Sequence, residues 1–230
     1  MMNFGRLFKR CINTLFKKDF FARLDFRIPT QRIGSSYGGW NIVPKFISLD
    51  STIYSFGIGN DASFDLALIS QFKVVIYAFD PTPQSASWVE DQCFPKNFVF
   101  HKTAIAGFDG VALFYPPENP HHISHSMIAR PICTQDAIQV PTKRLRTIMD
   151  ELGHSKIDVL KMDVEGSEYT VIDDMINSDI FPKQLLIEFH HRFPNIGVEM
   201  TRNAISKIRR RGYGLAFVSE TGEEFLFIKK

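Results

Sequence analysis

The sequence predicts a doubly wound α/β fold, a mostly parallel sheet with helices on both faces and an antiparallel hairpin at its C-terminal end. Three observations predict it. Residues 52–83 read as strand, tight glycine turn, helix and strand, with Asp80 where the second strand stops; this is the order of a nucleotide-type half-site. Further short apolar strands follow, alternating with helical segments, as in a sheet covered on both faces. The last two apolar runs flank Thr221-Gly222, which is the signature of a hairpin.

Composition bounds the rest. The chain has 230 residues, 44% of them hydrophobic, enough for one well-filled domain. We divide it into a basic and aromatic N-terminal extension, residues 1–34, and a main domain, residues 35–230. A net charge of +2 carries no demand for nucleic acid. The one concentrated basic stretch, residues 207–211, falls near a helix C-terminus, where cations are favoured anyway. Cys11, Cys93 and Cys133 form no Cys-x-x-Cys pair, which points away from a disulfide scaffold and towards a reducing, cytoplasmic setting. No apolar run reaches the roughly 18 residues of a membrane span. Residues 1–28 mix Phe4, Leu7, Phe8, Leu15 and Phe16 with Arg6, Lys9, Arg10, Lys17 and Lys18. They make a poor signal peptide; packing against the sheet or a partner subunit is the first reading, peripheral membrane contact the second.

In chain order, residues 29–50 read as loop. Thr52–Phe56 is the first core strand, residues 61–72 a helix, and residues 73–79 a second strand ended by Pro81 and Pro83. Residues 84–91 form a short helix and residues 98–105 a third strand. A departure follows: a strand at 111–115, a proline-rich turn, then His121, His122 and His125, read as surface because no cysteine or carboxylate stands at ligand spacing. Residues 141–152 are expected to be an amphipathic helix. Residues 158–162 form the next strand, followed by a helix from Gly166 to about Ile176. Strand 184–189, helix 201–211 and the terminal hairpin complete the chain.

Gly57 and Gly59 let the backbone turn sharply beside a ligand. The string Gly57-x-Gly59-x-x-Ala62 also satisfies a loose dinucleotide fingerprint, so electrostatics must choose. A pyrophosphate would sit on the helix N-terminus, where Asp61 would repel it. S-adenosylmethionine carries a sulfonium and an ammonium and no phosphate. Asp80 stands where an acid accepts hydrogen bonds from ribose hydroxyls. The cofactor-binding residues are therefore expected to be Gly57, Gly59, Asn60, Asp61, Asp80 and Pro81, with S-adenosylmethionine as cofactor. A nicotinamide-dependent oxidoreductase is the enzymatic alternative, and a non-catalytic binding domain the other.

Three strings carry a resemblance. They are Ser55-Phe56-Gly57-Ile58-Gly59-Asn60-Asp61-Ala62-Ser63-Phe64-Asp65, Ala78-Phe79-Asp80-Pro81-Thr82-Pro83, and Ile157-Asp158-Val159-Leu160-Lys161-Met162-Asp163-Val164-Glu165-Gly166-Ser167-Glu168. With Leu186-Ile187-Glu188-Phe189-His190, they resemble the FkbM family of S-adenosylmethionine-dependent methyltransferases over residues 35–229. The resemblance implies a seven-stranded class I methyltransferase sheet. It also implies O-methylation of a sugar or polyketide hydroxyl, in biosynthetic settings that include polysaccharides.

Asp163, Glu165, Glu188 and His190 fall at the ends of two strands, the edge at which such sheets bind ligands. Clustered carboxylates repel unless a cation or shared proton compensates. Two readings follow. In one, Asp163, Glu165 and Glu188 hold a magnesium-like cation that acidifies the acceptor hydroxyl. In the other, His190 or Glu188 takes the acceptor proton as general base, with Asp163 beside it. Glu168 reads as a supporting residue or as part of the helix face. Tyr37, Trp40 and Tyr115 are candidate walls for a small-molecule or glycan acceptor, and His121 to His125 with Arg130 candidate contacts for its hydroxyls or a phosphate. No Asn-Pro-Pro-Tyr or Asp-Pro-Pro-Tyr string of the amino-methylating type occurs, and no nucleic-acid partner is expected.

Overall fold

The computed structural model describes residues 4–116, 137–193 and 195–230. Helix α1 (Phe4–Leu15) is followed by an extended stretch and a small hairpin of β1 (Gln31–Ile33) and β2 (Trp40–Ile42). The first half-site is β3 (Thr52–Phe56), α2 (Ser63–Phe72), β4 (Val75–Phe79) and α3 (Pro83–Glu90), and β5 (Phe98–His101) follows. Next come β6 (Ala104–Ile105), β7 (Gly110–Phe114) and β8 (Ile138–Lys143). The second half holds α4 (Leu145–Leu152), β9 (Val159–Met162), α5 (Glu168–Asn177), β10 (Gln184–Glu188) and α6 (Val198–Arg210), and ends in β11 (Tyr213–Val218) and β12 (Glu224–Lys229).

Seven strands form the main sheet in the order β11-β12-β10-β9-β3-β4-β5. The pairs β10–β9, β9–β3, β3–β4 and β4–β5 are parallel, while β12 runs antiparallel to both β10 and β11. The strand order reverses between β3 and β9, so their C-terminal ends open a crevice of the kind where ligands bind in such sheets.

The apolar runs are buried on both faces, as their lack of alternation requires. Along β9, Leu160 and Met162 join Tyr54, Phe56, Ile187 and Phe227 on one face. Val159 packs with Ile53, Ile76, Leu186 and Ile228 on the other. Each such side chain contributes roughly 1.5–3 kcal/mol relative to exposure. Gln184, wholly buried at the start of β10, exchanges two hydrogen bonds with the backbone of Val43 and so fixes the β1–β2 hairpin against the sheet.

Two expected elements differ. The strand expected over 98–105 is two strands in different sheets. A γ-turn, with Thr103 N–H donating to His101 O at 2.9 Å, bends the chain at Lys102, and β6 leaves to join the three-stranded sheet β6-β8-β7. The helix expected over 141–152 begins only at Leu145, because residues 138–142 pair with β7, and Thr142 and Lys143 with β6. Pro141 is tolerated there: β6 reaches only Thr142 and Lys143, so β8 has a single neighbour at the proline. Asp109 then caps α4 from outside the helix, accepting from Arg144 N and Thr147 Oγ1. His121, His122, His125, Arg130 and Cys133 lie outside the described residues.

Part of the N-terminal extension is built into the domain. Phe20 enters the core. Asp25 brackets Leu215, its N–H donating to the Leu215 carbonyl and its carboxylate accepting from the Leu215 N–H.

Candidate active site

The glycine turn after β3 is shaped by its neighbours. Gly57 has φ +80, and a Cβ there would lie 1.8 Å from the carbonyl oxygen of Asp163. Only glycine lets the ends of β3 and β9 meet this closely. Gly59, φ +56, donates its N–H to Asp80 Oδ2 at 2.9 Å. The other Asp80 oxygen accepts from the N–H and hydroxyl of Thr82, whose own hydroxyl caps α3. Asp80 is thus a buried carboxylate that joins the glycine turn to the next strand end. Pro81 is half-buried beside it, and Asn60 is exposed at the tip of the turn.

Asp61 has a definite seat. Its Oδ1 accepts from Ser63 N at 2.8 Å, at the first residue of α2. Its Oδ2 accepts from the hydroxyl of Ser35, and that hydroxyl accepts from the N–H groups of Tyr37 and Gly38. Burial alone would raise its pKa, but the hydrogen bonds from Ser63, Ser35 and Gly38 together bring it below the usual carboxylate range. The chain's own anion therefore occupies the helix N-terminus, and it ties the 35–38 loop to the half-site. That loop carries Tyr37 towards the strand ends: burial, then the charges of Asp163, Glu188, Glu165 and Asp61, raise its phenol.

Asp163, Glu165 and His190 converge where β9 and β10 end. One ligand atom from each lies within 4.8 Å of the others. His190 Nε2 is 3.7 Å from Asp163 Oδ1 and 3.6 Å from Glu165 Oε2. Its Nδ1 is 3.4 Å from Glu168 Oε1, which also accepts from the His190 N–H at 2.8 Å. Glu168 is fully buried, and its second oxygen accepts from Gly166 N. Glu165 sits at φ +49, a conformation unusual for a side-chain-bearing residue and found mainly where surroundings impose it. Burial would lower the His190 pKa, but Glu168, Glu165 and Asp163 outweigh it and raise the value well above normal. The three carboxylates thus favour the protonated imidazole.

Glu188 stands apart from that trio. It ends β10 opposite Glu224 of β12. Burial and the charge of Asp163 raise its pKa well above normal, and burial raises Glu224 also, opposed by Arg32 at 3.4 Å. Of the expected acceptor walls, Tyr37 is exposed and Tyr115 half-buried, but Trp40 is a core residue under Lys161, whose Nζ is 5.5 Å from its ring centroid.

Lys161 is a position whose structural part the strand reading passed over. It is buried in the middle of β9, and its Nζ donates to the carbonyl oxygens of Phe56 and Gly57. Asp65 lies buried nearby on α2; burial raises its pKa to about 6, opposed by the Lys161 charge. Lys161 therefore fastens β9 to the exact turn that Gly57 opens. The signal was a lone cation in an otherwise apolar strand, which is rarely buried without a partner.

A family model described as the methyltransferase FkbM domain matches residues 34–215. The chain belongs to this family. Among curated proteins it is similar to the probable methyltransferase-like protein 24 of Homo sapiens, with 27% identity over 172 residues, 74% of this chain and 40% of that protein. The Rattus norvegicus protein of the same name is 26% identical over 155 residues, 66% of this chain and 36% of its own length. The chain thus spans about two fifths of the curated relatives it matches. A crystal structure of methyltransferase FkbM from Methylobacillus flagellatus KT superposes with a TM-score of 0.50 at 16% identity, over 79% of this chain and 44% of that one. The FkbM domain accounts for the α/β fold with its mostly parallel sheet.

Proposed function

We propose that this FkbM-family chain is an S-adenosylmethionine-dependent O-methyltransferase acting on a hydroxyl of a sugar, a glycan precursor or a related secondary metabolite. We read its sheet, with the antiparallel pair β12–β11 at one edge, as the class I methyltransferase arrangement. The observation that carries the cofactor assignment is the seat of Asp61. Its carboxylate already takes the α2 N-terminal N–H that a pyrophosphate would use. That weighs against the nicotinamide alternative and favours a phosphate-free, cationic cofactor. Gly57, Gly59, Asn60 and Asp61 would line the donor, with Asp80 and Pro81 at its ribose end. When bound, S-adenosylmethionine supplies an electrophilic methyl group; the protein's task is to align an acceptor oxygen with it and remove the proton.

Asp163, Glu165 and His190 are suited to that task in either of two states. Loaded with a divalent cation, they would bind and acidify the hydroxyl. Glu168 behind Nδ1 is the kind of carboxylate that orients a metal-bound histidine. With no cation, protonated His190 balances the carboxylates and the proton passes to one of them. The set favours this trio over Glu188 as the ligand group, and Glu188 would face the acceptor. The strand edge gathers Asp163, Glu165, Glu188 and Glu224, which suits a neutral, hydroxyl-rich acceptor and disfavours nucleic acid.

The test is calorimetric titration of the chain with S-adenosylmethionine, S-adenosylhomocysteine and NAD. Binding of the first two, lost in Asp80→Ala, is expected, with no heat from NAD. Binding of NAD alone would reverse the cofactor assignment. Methylation of a sugar panel with and without magnesium or manganese then tests the acceptor class and the cation.

A further inference from the structure

Helix α1 is amphipathic the wrong way round for a helix that packs on its own domain. The side facing the body carries Arg10, which is buried, and Thr14, whose hydroxyl donates to the Arg10 carbonyl. The outward side carries Phe8, Ile12 and Leu15 at helical spacing, and Phe16 continues the stripe. Phe8 is 60% exposed, Leu15 81% and Phe16 72%. Beyond the helix, Phe21 and Leu24 are exposed too. The helix is nevertheless held firmly. The Arg10 guanidinium donates to the carbonyls of Phe20 and Ser219. Buried Asp19 pairs with Arg10 and Arg192, and Arg192 also donates to Thr221 O. These tethers are in the turn between β11 and β12 and in the segment just after His190, so α1 is fixed at the strand edge that carries the site.

Charge identifies the occupant. Lys9, Lys17, Lys18 and Arg23 are exposed around the stripe. The single acid in residues 4–24 is Asp19, which is buried and paired. An outward surface dominated by large apolar side chains and cations, with no exposed acid, matches a bilayer bearing anionic headgroups, with the rings inserted at the acyl boundary and the lysines at the phosphates. We propose that α1 and residues 16–24 form an interfacial binding surface that seats this protein on an anionic lipid bilayer, with the strand-end crevice on the neighbouring side. No helix among the described residues is long and apolar enough to cross a membrane, so the contact is with the surface. The proposal does not depend on methyl transfer, and its test reads no activity.

The test is flotation of the full chain with vesicles of equal parts phosphatidylglycerol and phosphatidylcholine, beside vesicles of phosphatidylcholine alone. The expected result is flotation with the anionic vesicles, weakened by salt. The double variant Phe8→Asp, Leu15→Asp should lose it while keeping the wild-type melting temperature, since both side chains are exposed. Should that variant misfold, Lys17→Glu with Lys18→Glu should weaken binding by about tenfold or more. A wild-type chain that stays with neither vesicle overturns the proposal, as does flotation that both variants leave unchanged. Light scattering without vesicles covers the remaining occupant: a dimer that Phe8→Asp, Leu15→Asp converts to monomer assigns the stripe to a second copy and overturns the lipid reading.

Discussion

Glu168 Oε1 accepts the backbone N–H of His190 at 2.8 Å, so a carboxylate in the first turn of α5 fixes a residue just beyond the end of the neighbouring strand β10. The same side chain accepts from Gly166 N through its other oxygen. Glu168→Ala would leave two backbone donors without partners at a buried site. Each orphan costs roughly 1–3 kcal/mol, so a loss of about 2–5 kcal/mol is expected in urea denaturation. Glu168→Gln keeps an acceptor for one of them and should lose less. A loss under about 1 kcal/mol in Glu168→Ala would show that the tether is not structural.

The His190 imidazole offers a second test. Its pKa is raised because Glu168, Glu165 and Asp163 outweigh its burial. A folded-state pKa above the unfolded value of about 6.5 means that the charged form stabilises the fold. That stability is fully present below about pH 6.5 and is lost as pH rises through the folded value. The stability gap between wild type and His190→Gln should therefore narrow from about pH 6.5 upwards in metal-free buffer. Imidazole titration by NMR should place His190 above the ordinary range, and closer to it in Glu168→Gln. Saturating divalent cation should abolish the titration if Nε2 becomes a ligand.

Gly57 and Gly153 separate two reasons for glycine. Both have positive φ, but a Cβ at Gly57 would strike the Asp163 carbonyl at 1.8 Å, whereas nothing lies within 4 Å of one at Gly153. Gly153→Ala is expected to cost about 1–2 kcal/mol from the left-handed backbone alone. Gly57→Ala must also move β3 from β9, and a loss above about 4 kcal/mol, or failure to fold, is expected. Equal melting temperatures for the two variants would mean that the β3–β9 approach is loose.

The half-site from β3 to β4 was legible because local chemistry determines it: glycines at the turn, an acid at the strand end and apolar runs between. The terminal hairpin was legible for the same reason. The 98–105 and 141–152 segments were not, since each is settled by partners distant in sequence. Pro141 and Lys143 read as helix until β7 and β6 are there to pair with them, and one γ-turn at Lys102 decides which sheet Ala104 joins. At the site, spacing along single strands brought Asp163, Glu165 and His190 into view. Their separation from Glu188 depends on how β9 and β10 end side by side, and Trp40 is core only because Lys161 and the β1–β2 hairpin enclose it. The opposite roles of Arg10 and Phe8 on α1 follow from Asp19 and Arg192, again beyond the reach of periodicity.

Asp19 allows the attachment of that N-terminal segment to be read against pH. Burial alone would raise its pKa. Hydrogen bonds involving His191, Arg192 and the Phe20 N–H, together with the Arg192 charge, bring it below the usual range. A depressed folded-state value means that the ionised form stabilises the fold. The contribution is present above the unfolded value of about 3.9 and is lost as pH falls through the folded one. Asp19→Asn keeps the shape and removes the charge, leaving Arg10 and Arg192 without their carboxylate partner. Breaking a buried pair in this way costs on the order of 3 kcal/mol. Denaturant unfolding should therefore show the variant weaker by about that amount at pH 7. The gap should persist down to pH 5, begin to narrow below about pH 3.9 as the unfolded chain takes up the proton, and close only once pH falls below the depressed folded value, where the wild-type carboxyl is also neutral. A gap that is the same at pH 7 and pH 3 would assign the loss to packing of the 19–21 segment and remove the charge from the account.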